Sequence, residues 1–424
     1  MKRVLVWLML ALCLTPAAQG EEGGFVRSAV FSIPSAWGSK TAELPLDERW
    51  FMENNTQYHH GLARISLAMA VSAFRGNAAA PDAAIRSFFS QLGLAGAGDP
   101  DRAGRPGVCT WDFEAMGEET VGTAIAWRYL TCFESPVPLV AVAVSGGYYG
   151  DEWANNLDFG LTGDHAGFAR AGKKVADRIA RFEEENGLTG ERCRYWLAGF
   201  GRGGAVCQAA AKLLEENSSV YCYTFAAPAA VLRERERTES GTFNVVSPAD
   251  PLCFLPFSAW GFSHWGHTLY LPSSLDSAHA YAPLLREYAR VFGQFSGWED
   301  TRGDADLAPM SRAALQAARE EFADRAAFAE GWRPLLYKAI TGRKMSVSEI
   351  LRGFSLVQAV SARAKSVRRG ALPPFSQGSL GVFSSGDLAA LYAQHDPAVY
   401  AAWMLSLTEG NVLRNSSLTL TDAP

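Results

Sequence analysis

The sequence predicts an α/β fold: an open, mostly parallel sheet flanked by helices, with an all-helical insertion late in the chain. Three observations predict it. Strand-like apolar runs alternate with amphipathic helices between residues 123 and 246, the pattern of parallel strands joined by crossover helices. The run VPLVAVAV at 137–144 is continuously apolar and rich in Val, as a strand covered on both faces must be. From 280 to 370 the chain turns to Ala, Arg and Glu at helical spacing, as in SRAALQAAREEFADRAAFAEGW.

The elements follow in order. Lys2 and Arg3 precede an apolar run, Val4–Leu14, that is too short to span a bilayer, and Ala18-Gln19-Gly20 offers small residues before Glu21. Residues 1–20 are therefore expected to be a cleaved secretory signal, and the mature chain a secreted protein in an extracellular or periplasmic setting. Cys13 follows Leu12 rather than a small residue, which argues against a lipid-anchored cysteine. Residues 21–57 read as irregular and extended. Gly61–Arg75 and Ala83–Leu94 carry apolar residues at helical spacing, and strand-like runs follow at about 108–116 and 123–132. After VPLVAVAV, a Gly-rich loop leads to a long amphipathic helix, His165–Glu185. The short apolar run Cys193–Ala198, a glycine cluster, the helix Ala205–Glu216 and the strands Val220–Phe225 and Thr242–Val246 complete the series. The expected organisation is a signal at 1–20, a core over 21–296, a helical insertion or cap over 297–375, and the end of the core over 376–424.

Composition bounds the function. The 424 residues are 48% apolar and 20% charged, which excludes a disordered or collagen-like chain. A net charge of −5 without a basic run argues against a nucleic-acid partner. No stretch after the signal reaches the ~18 apolar residues of a membrane helix. Six of the seven cysteines follow residue 20, none in a CxxC or a zinc-site spacing. Cys109 and Cys132 would lie close to opposite in a hairpin centred on Gly117–Glu119, so a disulfide there competes with free buried thiols. No metal or organic cofactor is implied.

The chemistry turns on Gly199-Phe200-Gly201-Arg202-Gly203-Gly204, between a strand and a small-residue helix. That is the shape of a nucleophile elbow, where a Ser sits on a strained turn and the helix start supports an oxyanion. Here the central position is Gly201. The segment also satisfies GxGxxG, but a dinucleotide site wants an acidic residue ~20 positions on at a strand end. Glu216 falls inside the expected helix instead.

The surroundings of the elbow, from about 58 to 272, resemble the class 3, or fungal-type, lipases of the α/β-hydrolase fold, especially their secreted bacterial relatives. YHHGLARISLAMAVSAF (58–74) is similar to the family's opening helix, and VAVAVSGGYYGDEWANNLDFG…HAGF (140–168) to its Arg-Gly-Thr strand and loop. LAGFGRGGAVCQAAAKLL (197–214) stands where the family has Gly-His-Ser-x-Gly-Gly. YTFAAPAAV (223–231) resembles its Thr-Phe-x-x-Pro, and NVVSPADPLCFLPFSAWGFSHWG (244–266) its acid-bearing segment, with Ser247 in place of an Asn.

Carried over residue by residue, the resemblance implies Asp250 as triad acid and His395, in AQHDPAVYAAWM, as triad base, with His279 as the rival. Gly201 stands where the Ser belongs, and Phe200 replaces the His before it. Ser145-Gly146-Gly147 replaces Arg-Gly-Thr, so the hydroxyl that assists the oxyanion hole is missing too. The main-chain amides of Gly147 and Arg202 are the candidates for that hole. The insertion before His395 suits a lid or cap.

Three functional readings follow. The first is a nucleophile-deficient homologue that binds a lipid or acyl-ester small molecule, with peripheral contact to a lipid surface. The second is a working ester hydrolase using Asp250–His395 with water or another nucleophile, Ser145 being nearest in sequence. The third is a structural or interaction module. Other candidates read as structural: His59, His60 and His165 as helix-start residues, His264 and His267 as packing groups, Ser145 as a loop cap. The aromatic stretch Phe254–Trp265 reads as core packing, with an acyl-binding mouth as its alternative.

Overall fold

The computed structural model describes residues 24–35, 38–73, 83–94, 121–145, 152–233, 239–273, 275, 278–296, 307–342, 344 and 385–417. The expected signal, the run at 108–116, Cys109, Gly147, the side chain of His279 and much of the insertion lie outside them.

The chain opens with a hairpin, not the irregular segment expected for 21–57. Strands β1 (Val26–Ser35) and β2 (Gly38–Asp47) pair antiparallel, from Val26 opposite Asp47 to Ser35 opposite Gly38. Ala29, Phe31 and Ile33 on one strand, and Leu44 and Leu46 on the other, are buried, the period-2 alternation of a half-covered ribbon. Pro34 and Pro45 keep the phase of this alternation, but a proline within a run argues against reading it as a strand. Helices α1 (His60–Ser72) and α2 (Ala83–Gln91) follow and join the same core. His59 caps α1, its Nδ1 accepting from Leu62 N–H at 3.0 Å.

The main sheet is built from β3 (Gly122–Leu130), β4 (Val137–Ser145), β5 (Arg194–Phe200), β6 (Ser219–Phe225), β8 (Thr242–Val246) and β10 (His267–Tyr270). Two-residue strands β7 (Val231–Leu232) and β9 (Phe262–Ser263) pair separately. The order across the main sheet is β10-β8-β6-β5-β4-β3, parallel throughout except where β3 meets β4. Between the strands run α3 (Glu152–Asn156), α4 (Ala166–Asn186) and α5 (Arg202–Leu214). His165 caps α4 by accepting from Phe168 N–H, and Gly187, at φ +69°, ends it in the left-handed region.

Strand β5 divides the core. Trp196, Ala198 and Phe200 face the layer made with α1 and the hairpin, whereas Tyr195 and Leu197 face α4 and α5. Every residue of β5 after Arg194 is buried, which is why the strand reads as a continuous apolar run rather than an alternating one.

After β10 come α6 (Ala278–Ser296), α7 (Leu307–Phe322), a short helical stretch Arg325–Trp332, π-helical from Phe328, that runs into α8 (Arg333–Thr341), then α9 (Ser385–Ala393), α10 (Pro397–Ser406) and α11 (Glu409–Ser417). The described part of the expected insertion is helical. Phe328 and Tyr337 pack on Ala154 and Leu157 in a third apolar cluster. Arg333 ties this layer down, with Nη1 3.4 Å from Asp158 and Nη2 donating to Ala154 O at 3.3 Å. Arg325 donates to Phe159 O at 2.7 Å and to Gly160 O at 2.9 Å. Among the described residues Cys132, Cys193, Cys207, Cys222 and Cys253 are free thiols, all but Cys132 buried, and Cys109, the other half of the alternative disulfide, lies outside them.

Candidate functional site

Gly201 forms the turn between β5 and α5. Its φ of 55° and ψ of −124° are a conformation that L side chains adopt only under strain. Gly201 N–H donates to Phe225 O at 2.8 Å, tying the turn to the neighbouring strand. The turn is tight because Gly199 lacks a side chain: a Cβ there would lie 2.4 Å from the Gly203 carbonyl carbon. The elbow's backbone is thus complete around a residue with no hydroxyl.

Asp250 sits in the turn after β8 and is fully buried. Its Oδ1 accepts from Leu252 N–H at 3.1 Å and caps the 3-10 turn Pro251–Phe254. Its Oδ2 lies 2.8 Å from His395 Nδ1 and accepts from Tyr400 Oη at 2.9 Å and from Cys253 Sγ at 3.3 Å. Burial, reinforced by the Asp250 charge, pushes both the Tyr400 phenol and the Cys253 thiol well above their ordinary values. Both therefore remain protonated donors to the carboxylate.

His395 occupies the short link between α9 and α10. Asp396 caps α10 by accepting from Ala398 N–H, and this fixes the preceding residue at the helix entrance. The imidazole meets the edge of Phe200 at a centroid distance of 5.4 Å, and Phe200 also packs edge-on against Tyr400 at 5.4 Å. The ring reaches the elbow itself: a Cβ on Gly201 would lie 2.9 Å from His395 Nε2 and 3.4 Å from Cε1. That is closer than carbon and nitrogen approach without a bond. The imidazole rests over the space that a side chain at 201 would fill.

Beside this pair lies a cavity of about 130 Å3. Trp153, Leu157, Phe159, Leu252, Leu255 and Pro256 supply apolar wall, and Gly201 and His395 line it as well. One side is polar: Arg202, itself buried, donates through Nε to Asn156 Oδ1 at 2.8 Å and lies 3.3 Å from Glu152 through Nη1. Burial lowers the Arg202 guanidinium, and the Glu152 charge opposes that shift. His165 also lines the cavity, and burial pushes it down to about 3, so it serves as a neutral cap.

Of the residues chosen from the sequence, Asp250, His395, Gly201 and Arg202 come together here. Gly147 and the side chain of His279 lie outside the described residues. Ser145 ends β4 with a buried hydroxyl that has no hydrogen-bond partner among the described residues, and the loop it was expected to cap lies outside them. The stretch Phe254–Trp265 divides: Phe257, Phe262 and Trp265 are buried in packing, whereas Leu255 and Pro256 face the cavity. His264 is buried with Nε2 on Ala227 O at 2.9 Å, and His267 stacks on Phe243. Sequence reasoning missed Tyr400, Cys253, Glu152 and Asn156. A signal for Tyr400 existed, since it is the Tyr that closes the segment begun by His395.

An elbow after β5, an acid after β8 and an imidazole after the last long connection, set on a largely parallel sheet between helices, define an α/β-hydrolase-like fold. Neither a protein-family model nor a curated protein sequence matches the chain. Solved structures similar to it include a mutant of MDLA from Penicillium cyclopium, at 15% identity and a TM-score of 0.33, covering 50% of this chain and 77% of that one. A second is described as a fungal lipase, at 17% identity and a TM-score of 0.33, with the same coverage of 50% and 77%. A third is a mono- and diacylglycerol lipase from Aspergillus oryzae, at 20% identity and a TM-score of 0.26, covering 36% of this chain and 65% of that one.

Proposed function

We propose that this protein is a lipase-like hydrolase homologue without a nucleophile, which holds a lipid or acyl-ester ligand in the cavity instead of cleaving it. One observation carries the proposal: the Asp250–His395 pair is assembled, at 2.8 Å, against a glycine. Acyl transfer through a covalent intermediate needs a hydroxyl within reach of the imidazole, and Gly201 has none. Loss of that group costs on the order of 10⁶ in turnover, leaving roughly 10³–10⁴ over water from the rest of a site. The apolar walls beside the pair suit an acyl chain. The amide of Arg202, at the start of α5, is assigned to the carbonyl oxygen of the ligand in this proposal; Gly147, the other candidate of the sequence, lies outside the described residues. Residues 1–20, read as an export signal, would place this binding outside the cytoplasm.

The intact Asp250–His395 hydrogen bond favours one second reading, in which the pair activates water directly on an ester. p-Nitrophenyl butyrate and laurate separate the two. Binding without catalysis predicts no acyl-enzyme by mass spectrometry and no turnover above that of His395→Ala. Turnover that His395→Ala abolishes would overturn it. Gly201→Ser is expected to react with a fluorophosphonate probe at the new hydroxyl, once the imidazole shifts by a few tenths of an ångström, while the wild type stays unlabelled.

A further inference from the structure

The hydrogen bonds around Asp250 determine which nitrogen of His395 carries its proton. Tyr400 Oη accepts from Ser247 N–H at 3.1 Å and spends its own proton on Asp250 Oδ2. An ionised carboxylate only accepts, so the 2.8 Å contact with His395 is a donation from Nδ1–H. In the neutral ring Nε2 is then an acceptor lone pair. In a serine hydrolase the nucleophile's own O–H fills that acceptor. Here Gly201 offers nothing, and no described residue hydrogen-bonds Nε2, although His395 lines the cavity with a side chain only 17% exposed. A ligand without a donor would cover that lone pair and leave it unpaired, which costs more than the bond itself is worth.

Resting on the ligand-binding proposal above, we infer that the preferred ligand is a long-chain amphiphile with a free hydroxyl at its head, whose O–H donates to His395 Nε2 in place of the absent serine. The chain lies along Leu252, Leu255 and Trp153. An ester or ether of the same size fills the same walls and lacks the donor.

Isomeric 1-octanol and 1-methoxyheptane, titrated calorimetrically into the full-length mature protein at pH 8, test this directly. They match in size and differ in the donor. The alcohol is expected to bind about tenfold more tightly, the value of one hydrogen bond plus an acceptor left unpaired. His395→Phe keeps a ring against Phe200 and is expected to bring the two affinities within about twofold. Equal affinities in the wild type overturn the head-group inference and leave the cavity-binding proposal standing. A preference that survives in His395→Phe also overturns it. Binding of neither compound overturns the cavity proposal on which it rests. The wild-type comparison needs no variant to fold.

Discussion

Replacing Gly201 with Ala tests the geometry of the elbow most directly, because the sign of the effect is diagnostic. At an ordinary position a Gly→Ala change stabilises by about 0.4–1 kcal/mol, through a less flexible unfolded chain. At φ 55° and ψ −124° the added Cβ instead forces a strained backbone, at about 1–3 kcal/mol. A second cost comes from His395: the methyl would lie 2.9 Å from Nε2. The ring can retreat only by disturbing its 2.8 Å bond to Asp250 and its packing on Phe200. Urea melts of wild type and Gly201→Ala should therefore show a lower midpoint with an unchanged slope. The same substitution in a His395→Ala background keeps the backbone cost and loses the contact. The cycle should give a coupling of about 0.5–3 kcal/mol, as for residues in direct contact. An unchanged or raised midpoint for Gly201→Ala would refute the strained elbow. A coupling of zero would refute the placement of the imidazole over the glycine.

Two further outcomes follow from buried charges. His165 is held near 3 by burial against an ordinary value of 6.5, so the unfolded chain binds its proton first as pH falls. That stabilisation is complete above about pH 6.5 and shrinks on acidification, by about 2 kcal/mol between pH 7 and pH 5. His60 and His264 are also lowered by burial and act in the same direction, so melts of His165→Asn and wild type should differ in slope over that range rather than the wild type alone being diagnostic. A parallel pH dependence in the two proteins would count against the buried cap. Arg333→Met removes the tie to Asp158 and Ala154; Arg170 still pairs with Asp158 at 2.7 Å, so the cost stays below the about 3–5 kcal/mol of a buried charge left unpaired. Limited trypsin digestion should then cut within 307–342 sooner than in the wild type, and unchanged digestion would argue that the apolar contacts alone hold these helices.

Legibility followed the range of the interactions. The strands at 137–144 and 242–246 and the helix after His165 were readable because their signals are local: a covered strand is apolar throughout, and a cap precedes its helix. The β1–β2 hairpin was not. Pro34 and Pro45 argue against a strand in the sequence, and the hairpin's apolar side is decided by α1, α2 and α10, which pack on it from elsewhere in the chain. Gly201, Asp250 and His395 were selected from motif order alone.

The sequence by itself determined the layout: which strand precedes the elbow, that its central residue has no hydroxyl, and where an acid and an imidazole stand along the chain. Tertiary structure decided what that layout amounts to. Asp250 and His395 are 145 residues apart, and only the packing of α10 on α6, α1 and β1 brings Tyr400, Cys253 and the imidazole onto one carboxylate. Only the folded chain places Nε2 over the glycine, with Arg202 buried against Glu152 beside it. The physical reason is that hydrogen bonds and close contacts act over a few ångströms in space and carry no signature of the distance along the chain that separates the groups they join.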